Sequence, residues 1–185
     1  MITLRRATIR DRRKTYEWLC LSDITQMCLG ATDYPEHPVT TWEEYEADFE
    51  DFYFEEKGRK KGAVLIIQSD GVDVGSICYS CFHLNEGMAE LDIWMKSKAE
   101  CGKGYGVEAL KLLILHLYDN LGIRNFLIRP AEKNINAIRA YEKAGFRKVD
   151  NKEGVIHEYY NKGYIDIYGK GDYGMAQSSV MIQSL

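Results

Sequence analysis

The sequence predicts an α+β fold, and two contrasting periodicities joined by a glycine-rich loop predict it. Residues 89–95 alternate polar and apolar side chains with the period of a half-buried strand. Residues 105–121 predict a helix, with apolar side chains at helical spacing from Val107 onward, and Gly122 follows as a helix stop. Between them, residues 101–106 (CGKGYG) allow backbone N–H groups to surround an anion at the helix start. This order predicts a phosphate-binding loop, with a glycine turn that merely enters a helix as the alternative.

Ahead of this loop, the first third of the chain predicts one strand and two helices. Residues 1–6 read as the first strand, and residues 11–21 follow as a helix with apolar side chains on one side. Residues 25–39 contain Gly and Pro and predict a loop. A Thr-x-x-Glu capping box then begins a helix over residues 41–56, whose aromatic side chains form one stripe.

The remaining elements alternate strands with the helices already described. An Asp-Gly turn joins residues 63–68 to residues 72–82 as a hairpin. After the long helix we expect a strand over 123–129, a helix over 134–144 closed by glycine, and a strand over 146–149. The tail carries several short strand-like pieces, at residues 159–160, 164–168 and 175–182.

Two familiar nucleotide-binding motifs do not match the glycine loop. A P-loop requires its lysine and a Ser or Thr directly after the second glycine, where this chain has Tyr105 and Gly106. A dinucleotide fingerprint requires an acidic residue about twenty positions on, at the end of the next strand. Residues 123–130 contain no carboxylate. The phosphate ligand is therefore of another kind.

A second motif, residues 134–146 (NINAIRAYEKAGF), identifies that kind. Together with the glycine loop, it resembles the GNAT superfamily of acyl-CoA-dependent N-acetyltransferases. That family combines a (Gln/Arg)-x-x-Gly-x-(Gly/Ala) loop with a later Asn-x-x-Ala-x-x-x-Tyr-x-x-x-Gly-Phe helix. The second motif matches throughout, and the first matches except that Cys101 replaces Gln or Arg. The resemblance implies a mixed central sheet, splayed between its fourth and fifth strands and flanked by helices.

The resemblance also implies acetyl-CoA as co-substrate. The pantetheine arm would lie in the gap between the splayed strands and pair with backbone groups, as an added strand does. The pyrophosphate would contact the N–H groups of the loop, with Lys103 as a cationic donor. Asn134 would contact the cofactor arm, a role compatible with its alternative as a helix N-cap. The cofactor-binding residues implied in this way are Ile93, Trp94, Met95, Gly102, Lys103, Gly104, Tyr105, Gly106, Asn134 and Lys143.

Acetyl transfer to an amine requires the amine to lose a proton and the thiolate to gain one. Tyr141 stands where many GNAT enzymes have this general acid, and the alternative is an aromatic core residue on an amphipathic helix. Strand alternation places Glu90, Asp92 and Trp94 on one face. Glu90 and Asp92 are therefore candidate bases, with a solvated strand face as the alternative. Some GNAT enzymes need no dedicated base, and this question stays open.

Charge suggests the class of acceptor. Residues 33–56 contain ten Asp or Glu and no Lys or Arg, within a chain of net charge −4. In the family this region forms one wall of the acceptor site, and a negative wall attracts an aminoglycoside, a polyamine or a basic protein N-terminus. Asp33 and Glu36 are the candidate amine ligands, and most of the other acids fit the wet face of a helix. The Cys101 departure leaves a non-catalytic acyl-CoA-binding module as the alternative function.

Composition excludes several other classes. The chain of 185 residues has no linker or repeat, so we expect a single domain over residues 1–185. Its acidic balance argues against nucleic-acid binding, and no apolar run approaches membrane-spanning length. Five cysteines without disulfide or zinc spacing predict a reducing cytoplasm and no metal. Strands in the tail can pair between subunits, so a homodimer is possible.

Overall fold

The computed structural model describes residues 1–29, 39–168 and 178–185, and a seven-stranded sheet forms its centre. The strands lie in the order β1-β2-β3-β4-β5-β7-β6. Their bounds are β1 Ile2–Arg6, β2 Gly62–Ser69, β3 Val72–Ser80, β4 Met88–Met95, β5 Asn125–Ile128, β6 Arg147–Lys148 and β7 Met181–Ser184. The helices are α1 Arg12–Cys20, α2 Thr25–Leu29, α3 Trp42–Asp48, α4 Tyr105–Leu121, α5 Ile135–Ala144, α6 Lys152–Tyr159 and α7 Lys162–Tyr168.

The first four strands pair antiparallel in sequence order, as the predicted hairpin requires. Asp70 and Gly71 form its turn with φ of 50° and 82°, the left-handed conformation that tight hairpins of this kind need. The buried strand β2 then brings apolar side chains to both faces of the sheet, since Val64, Ile66 and Ile67 have no exposed surface. Such a strand needs cover on both sides.

Helices supply that cover on both faces. Leu110, Leu113 and Leu117 of α4 are fully buried in the main core, and α4 contacts β1, β2 and β4. On the opposite face, α1 packs against β3 and β4, and the indole N–H of Trp94 donates to the Thr15 carbonyl at 3.2 Å. The long helix ends as predicted, with Gly122 in the left-handed conformation.

The sheet opens between β4 and β5, which confirms the predicted splay. These strands pair in parallel from Met88–Asn125 to Leu91–Ile128, and the register stops there. Beyond that point β5 ends, and the chain reaches Pro130, which has no N–H to continue a ladder. The second half of β4 therefore presents one backbone edge to a gap rather than to β5.

The predicted helix over 41–56 is wrong in its second half. The α-helix ends at Asp48, and two short 3-10 turns follow at Asp51–Phe54 and Glu56–Gly58. The capping box is present, with the Glu44 N–H donating to the Thr41 hydroxyl. Acidic side chains around the last turn, with no basic residue there, oppose the negative end of the helix dipole.

Two further expectations differ from the structure. The loop predicted over 25–39 contains α2, and residues 30–38 lie outside the described residues. At the strand-like pieces predicted at 159–160 and 164–168, the structure has the end of α6, an isolated bridge from Tyr160 to Leu84, and the C-terminal part of α7. The Asn151 and Asn161 side chains accept from the N–H groups of Gly154 and Tyr164, so both helices have an N-terminal cap. Within the described ranges, no helix is long and apolar enough to cross a bilayer.

Candidate active site

A recess of about 480 Å³ opens at the point where β4 leaves β5. One part of its lining is polar and consists of residues from β4 and the segments that flank it: His83, Glu90, Asp92 and Arg129. Another part is aromatic, with side chains from the end of α3, the 3-10 turn that follows it, the end of the hairpin and the tail: Phe49, Tyr53, Phe82, Tyr160 and Tyr164. Ionisable groups and aromatic rings thus meet beside an open strand edge.

The open edge of β4 carries backbone donors. The Lys96 N–H donates to the Val74 carbonyl of the β3 side. Because N–H groups alternate along a strand, those of Ile93 and Met95 point the other way, into the gap. The Ile93 N–H donates to the Asp92 carboxylate at 2.8 Å. Because the Ile93 N–H is used by Asp92, the Met95 N–H and the outward carbonyls of Ile93 and Met95 are the groups through which this edge can pair with an extended amide-bearing ligand.

The glycine loop ends in a helix N-terminus suited to an anion. Gly102 and Gly104 have φ of 76° and 84°, which L side chains rarely adopt. A Cβ at either position would meet no atom within 4 Å, so the surface above them is open. The first N–H groups of α4, beginning at Tyr105, have no acceptor within the helix. Lys103 lies beside the loop and pairs with Glu100 at 2.9 Å.

Cys101 does not disturb this loop. Its thiol is half-buried and donates to the Ser97 carbonyl over 3.7 Å, and the side chain packs against the core. Burial raises the pKa of Cys101, followed by the charges of Asp23 and Glu100, so the helix start does not activate it as a thiolate. The loop keeps its backbone donors without the usual long polar side chain.

Glu90 is engaged on both carboxylate oxygens. Its Oε1 accepts from Arg129 Nε at 2.5 Å, and its Oε2 lies 2.7 Å from His83 Nε2. Burial alone would raise the pKa of Glu90, but the charge of Arg129 and the His83 hydrogen bond outweigh it, and the pKa is lowered. The alternative of a solvated strand face is therefore wrong for Glu90.

Asp92 has the opposite chemistry, although it lies two positions along the same face. Its side chain lines the recess and is exposed to solvent there, but the walls of the recess replace part of the water around it. This desolvation raises the pKa of Asp92 to about 6; the Ile93 N–H opposes it, and the Glu90 charge adds to it. Asp92 is thus a carboxylate that can take and release a proton near neutral pH.

Tyr141 is buried on α5, 7% exposed, with its electrostatic neighbours Asp92 and Cys28. Burial raises its pKa well above the ordinary value, and the Asp92 charge adds to the increase. The phenol therefore stays protonated and can donate. Asn134 caps α5 by accepting from the Ala137 N–H and donates to the Met27 carbonyl, both at 3.1 Å. Lys143 is exposed on the last turn of α5.

Comparison with known proteins agrees with this geometry. A family model described as "Acetyltransferase (GNAT) domain" matches residues 1–147. The chain belongs to the GNAT acetyltransferase family. Like other members of that family, the protein is an acetyl-CoA-dependent N-acetyltransferase. The open β4 edge and the glycine-led helix start fit the pantetheine and pyrophosphate of this co-substrate.

Two curated relatives carry names from antibiotic resistance. An aminoglycoside N(6')-acetyltransferase type 1 from Klebsiella pneumoniae is 25% identical over 158 residues, covering 80% of this chain and 74% of that protein. A kanamycin resistance protein from Rhizobium radiobacter is 31% identical over 62 residues, covering 34% of this chain and 57% of that protein. This GNAT chain is thus similar in sequence to both proteins.

Solved structures show the same fold. The aminoglycoside acetyltransferase AAC(6')-Ib in complex with coenzyme A matches all of this chain and 95% of its own, with a TM-score of 0.68 and 19% identity. A spermidine N-acetyltransferase from Vibrio cholerae, in complex with CoA and spermine, matches 99% of this chain and 95% of its own. Its TM-score is 0.64 at 15% identity. The splayed GNAT sheet is thus a shared architecture.

Sequence reasoning missed part of this GNAT site. Arg129 and His83 contact Glu90 from other elements, and no local motif marks them. The parallel pairing of β4 with β5 could have placed Arg129, because it follows Ile128, the partner of Leu91. The candidate acceptor ligands Asp33 and Glu36 lie outside the described residues. In the described ranges, no group of three His, Cys, Asp or Glu can hold a metal ion.

Proposed function

We propose that this protein transfers the acetyl group of acetyl-CoA to a primary amine of a cationic acceptor that enters the recess beside β4. The acceptor class comprises aminoglycosides, polyamines and basic protein N-termini. One observation carries the proposal: Asp92, whose pKa is about 6, faces the recess at the point where the sheet opens, with Tyr141 among its neighbours.

Two groups of backbone donors, at the start of α4 and along the edge of β4, would bind acetyl-CoA. The N–H groups at the start of α4 and the loop residues Gly102 and Gly104 would hold the pyrophosphate. The edge of β4 from Ile93 to Met95 would pair with the pantetheine amides. Bound acetyl-CoA supplies an activated acetyl thioester. The inward N–H of Met95 is then available to stabilise the negative charge that develops on the acetyl oxygen.

Asp92 acts as the base. An ammonium has no lone pair for attack, and its pKa of roughly 10 in water must be overcome. The amine therefore enters as the cation and must lose its proton before the nitrogen can attack the thioester. Asp92 then takes the proton directly or through one water molecule.

Tyr141 acts as the acid. Its buried phenol stays protonated over the working pH range and can donate to the departing sulfur. Asp92 is one of its electrostatic neighbours, which supports proton removal and proton delivery near each other, although Tyr141 is not among the residues that line the recess. The direction of both pKa shifts suits the assigned roles, since the base is ionised and the acid is protonated at neutral pH.

The recess suits a cation in two ways. Ionised Asp92 attracts positive charge, and the rings of Tyr53, Phe82 and Tyr164 can contact an ammonium through their faces. The names of the similar proteins, which include kanamycin resistance and spermidine acetylation, support the same acceptor class.

Release of free coenzyme A thiol tests the proposal. Purified protein is mixed with acetyl-CoA and, in turn, kanamycin, spermidine and a peptide with a free N-terminus. Turnover on at least one acceptor, with mass spectrometry of the acetylated amine, is the expected result. Asp92→Asn keeps the shape of the side chain but removes the proposed base, and it should lose most turnover. Tight acetyl-CoA binding without turnover on any amine would instead support the non-catalytic module.

A further inference from the structure

Three ionisable residues from three segments meet on the floor of the recess. Arg129 follows β5, Glu90 lies within β4, and His83 lies between β3 and β4. Their side chains are 22%, 14% and 8% exposed, so all three are largely shielded from solvent. Both oxygens of Glu90 are engaged: Oε1 lies 2.5 Å from Arg129 Nε, and Oε2 lies 2.7 Å from His83 Nε2. No described residue gives His83 Nδ1 a hydrogen-bond partner, and this atom is buried.

We propose that Arg129, Glu90 and His83 form a positioning cluster for the acceptor site, in which Glu90 is not a base but controls how firmly Asp92 holds its proton. This inference deepens the proposed function and rests on it. Within the cluster, Glu90 and Arg129 act through Asp92, and neither needs to touch the reacting atoms.

The contacts of Glu90 make it a weaker candidate for the working base than Asp92. A general base needs a lone pair directed at the substrate proton, within hydrogen-bond reach. Both oxygens of Glu90 already accept hydrogen bonds from Arg129 and His83. Removing Glu90 from these contacts would leave the buried Arg129 guanidinium without its carboxylate, which is strongly unfavourable. Among the described residues, the donor to the Asp92 carboxylate is the neighbouring Ile93 N–H, and the side chain lines the recess.

The charges around Asp92 show how the cluster acts on it. Glu90 lies two residues away on the same strand face, and Arg129 approaches from the end of β5. The other titratable groups that interact with Asp92 are Cys28, Cys78 and Tyr141. Burial raises the pKa of each of these three above its ordinary value, so they are neutral at pH 7. The balance between Glu90 and Arg129 is therefore the charge that Asp92 senses.

The cluster also extends the junction of β4 and β5. Backbone pairing ends at Leu91 and Ile128, and the next residue of the chain, Arg129, reaches back to Glu90. A short charge-assisted hydrogen bond thus continues the connection where the ladder stops. This places Asp92 just beyond the last fixed contact, at the mouth of the gap.

The test measures Asp92 directly. The carboxyl carbon of Asp92 is followed by NMR against pH in the full-length protein without acceptor, and Asp92→Asn assigns the signal. Glu90→Gln removes a negative neighbour and should lower the midpoint by about one pH unit. Arg129→Gln removes a positive neighbour and should raise the midpoint by a similar amount. Arg129→Lys keeps the charge and should leave the midpoint within a few tenths of a unit.

The acid limb of kcat/KM against pH should move in the same directions for the same variants. Thermal melts identify any variant that does not fold; if one of the two Gln variants fails, the other still decides the outcome, because the two midpoint shifts are expected to have opposite signs. If Glu90→Gln abolishes turnover at every pH while the Asp92 midpoint stays unchanged, Glu90 is the base and the inference is wrong. Because the NMR titration needs no acceptor, a shifted midpoint without any turnover would reject the proposed function and keep the cluster.

Discussion

At the scale of single residues, Glu90 and Asp92 show how neighbouring carboxylates acquire different chemistry from their surroundings. Strand alternation predicts that they share a face, and both line the same recess. Alternation cannot predict that Arg129 and His83 occupy Glu90, because these contacts join segments that are distant along the chain. The identities of the two acids are thus readable from sequence, and their separate roles need the tertiary contacts.

Replacing Asp92 should separate stability from activity. The folded protein holds the Asp92 proton more tightly than the unfolded chain, since its pKa is about 6 against an ordinary 3.8. Ionisation therefore disfavours the folded state as the pH rises through this interval. We expect Asp92→Asn to raise the thermal midpoint at pH 7 and to have little effect near pH 3.5, where both states are protonated. Calorimetric scans at the two pH values check this.

Asp92→Asn should lower turnover, although it should raise stability. Wild-type kcat/KM should fall as the pH drops below about 6, because Asp92 must be ionised to accept a proton. Asp92→Asn should lack this limb and show low activity throughout. An unchanged limb in Asp92→Asn would assign the base to another group.

Tyr141→Phe should lower turnover by about 10- to 1000-fold with little change in acetyl-CoA affinity, as expected for loss of a general acid. The substitution removes only the hydroxyl of a side chain that is 7% exposed, and so preserves the packing of the ring. Coenzyme release gives the rate, and calorimetry gives the affinity. Unchanged turnover would leave Tyr141 as a core aromatic residue.

At the scale of elements, α4 shows which glycines the loop needs. Gly104 is the N-cap and has φ of 84°, whereas Gly106 lies within the helix. An added Cβ at Gly106 would meet only Ile93 Cδ1, at an ordinary contact distance of 3.5 Å. The left-handed backbone therefore requires glycine at position 104, whereas neither backbone conformation nor space requires it at position 106.

We expect Gly104→Ala to reduce the free energy of unfolding by about 1–2 kcal/mol, because a Cβ disfavours the left-handed conformation. The matched control Gly106→Ala should not reduce it, since alanine favours a helix interior. Denaturant titration measures both values. Equal losses in the two variants would show that the strain at Gly104 is not the cause.

The elements also show where sequence patterns are misleading. The motif-bearing helices α4 and α5 have strong caps and apolar stripes, and their predicted extents agree with the structure to within a residue. The strand pattern at 164–168 is misleading because its tyrosines resemble a β pattern, whereas the strand predicted over 175–182 overlaps β7. Tyr160 follows α6 in an extended conformation and Tyr164 lies in α7, and the rings of both lie 5.5 Å from the His83 ring. Short segments depend on caps and tertiary partners more than on their own composition.

At the scale of the whole molecule, an ion cluster connects β1, α1 and β3 away from the recess. Arg5 and Lys14 both pair with Asp11 and Asp73, over distances of 2.7 to 2.9 Å. The Arg5 hydrogen bond holds the pKa of Asp11 well below its ordinary range. Burial alone would raise the pKa of Asp73, but hydrogen bonds led by that of Lys14 lower it to about 2. Charge thus joins the first strand to the hairpin.

This cluster should make the protein less stable in acid. Since the folded pKa of Asp73 lies below its unfolded value, the stabilisation is complete above about pH 4 and is lost as the pH falls toward 2. Unfolding free energies measured from pH 2 to 6 should therefore decline over this interval. The decline should be shallower in Asp73→Asn, and an identical slope in that variant would contradict the assignment.

The position of β7 has a kinetic consequence. It lies between β5 and β6, and the Ser184 hydroxyl donates to Asn125 across a separation of 59 residues. Contacts this remote close late, because the intervening chain must lose its freedom first. Until then β5 has an unpaired outer edge, which can capture the same strand from another molecule. Refolding yield should accordingly fall as protein concentration rises, through a bimolecular reaction that competes with completion of the sheet.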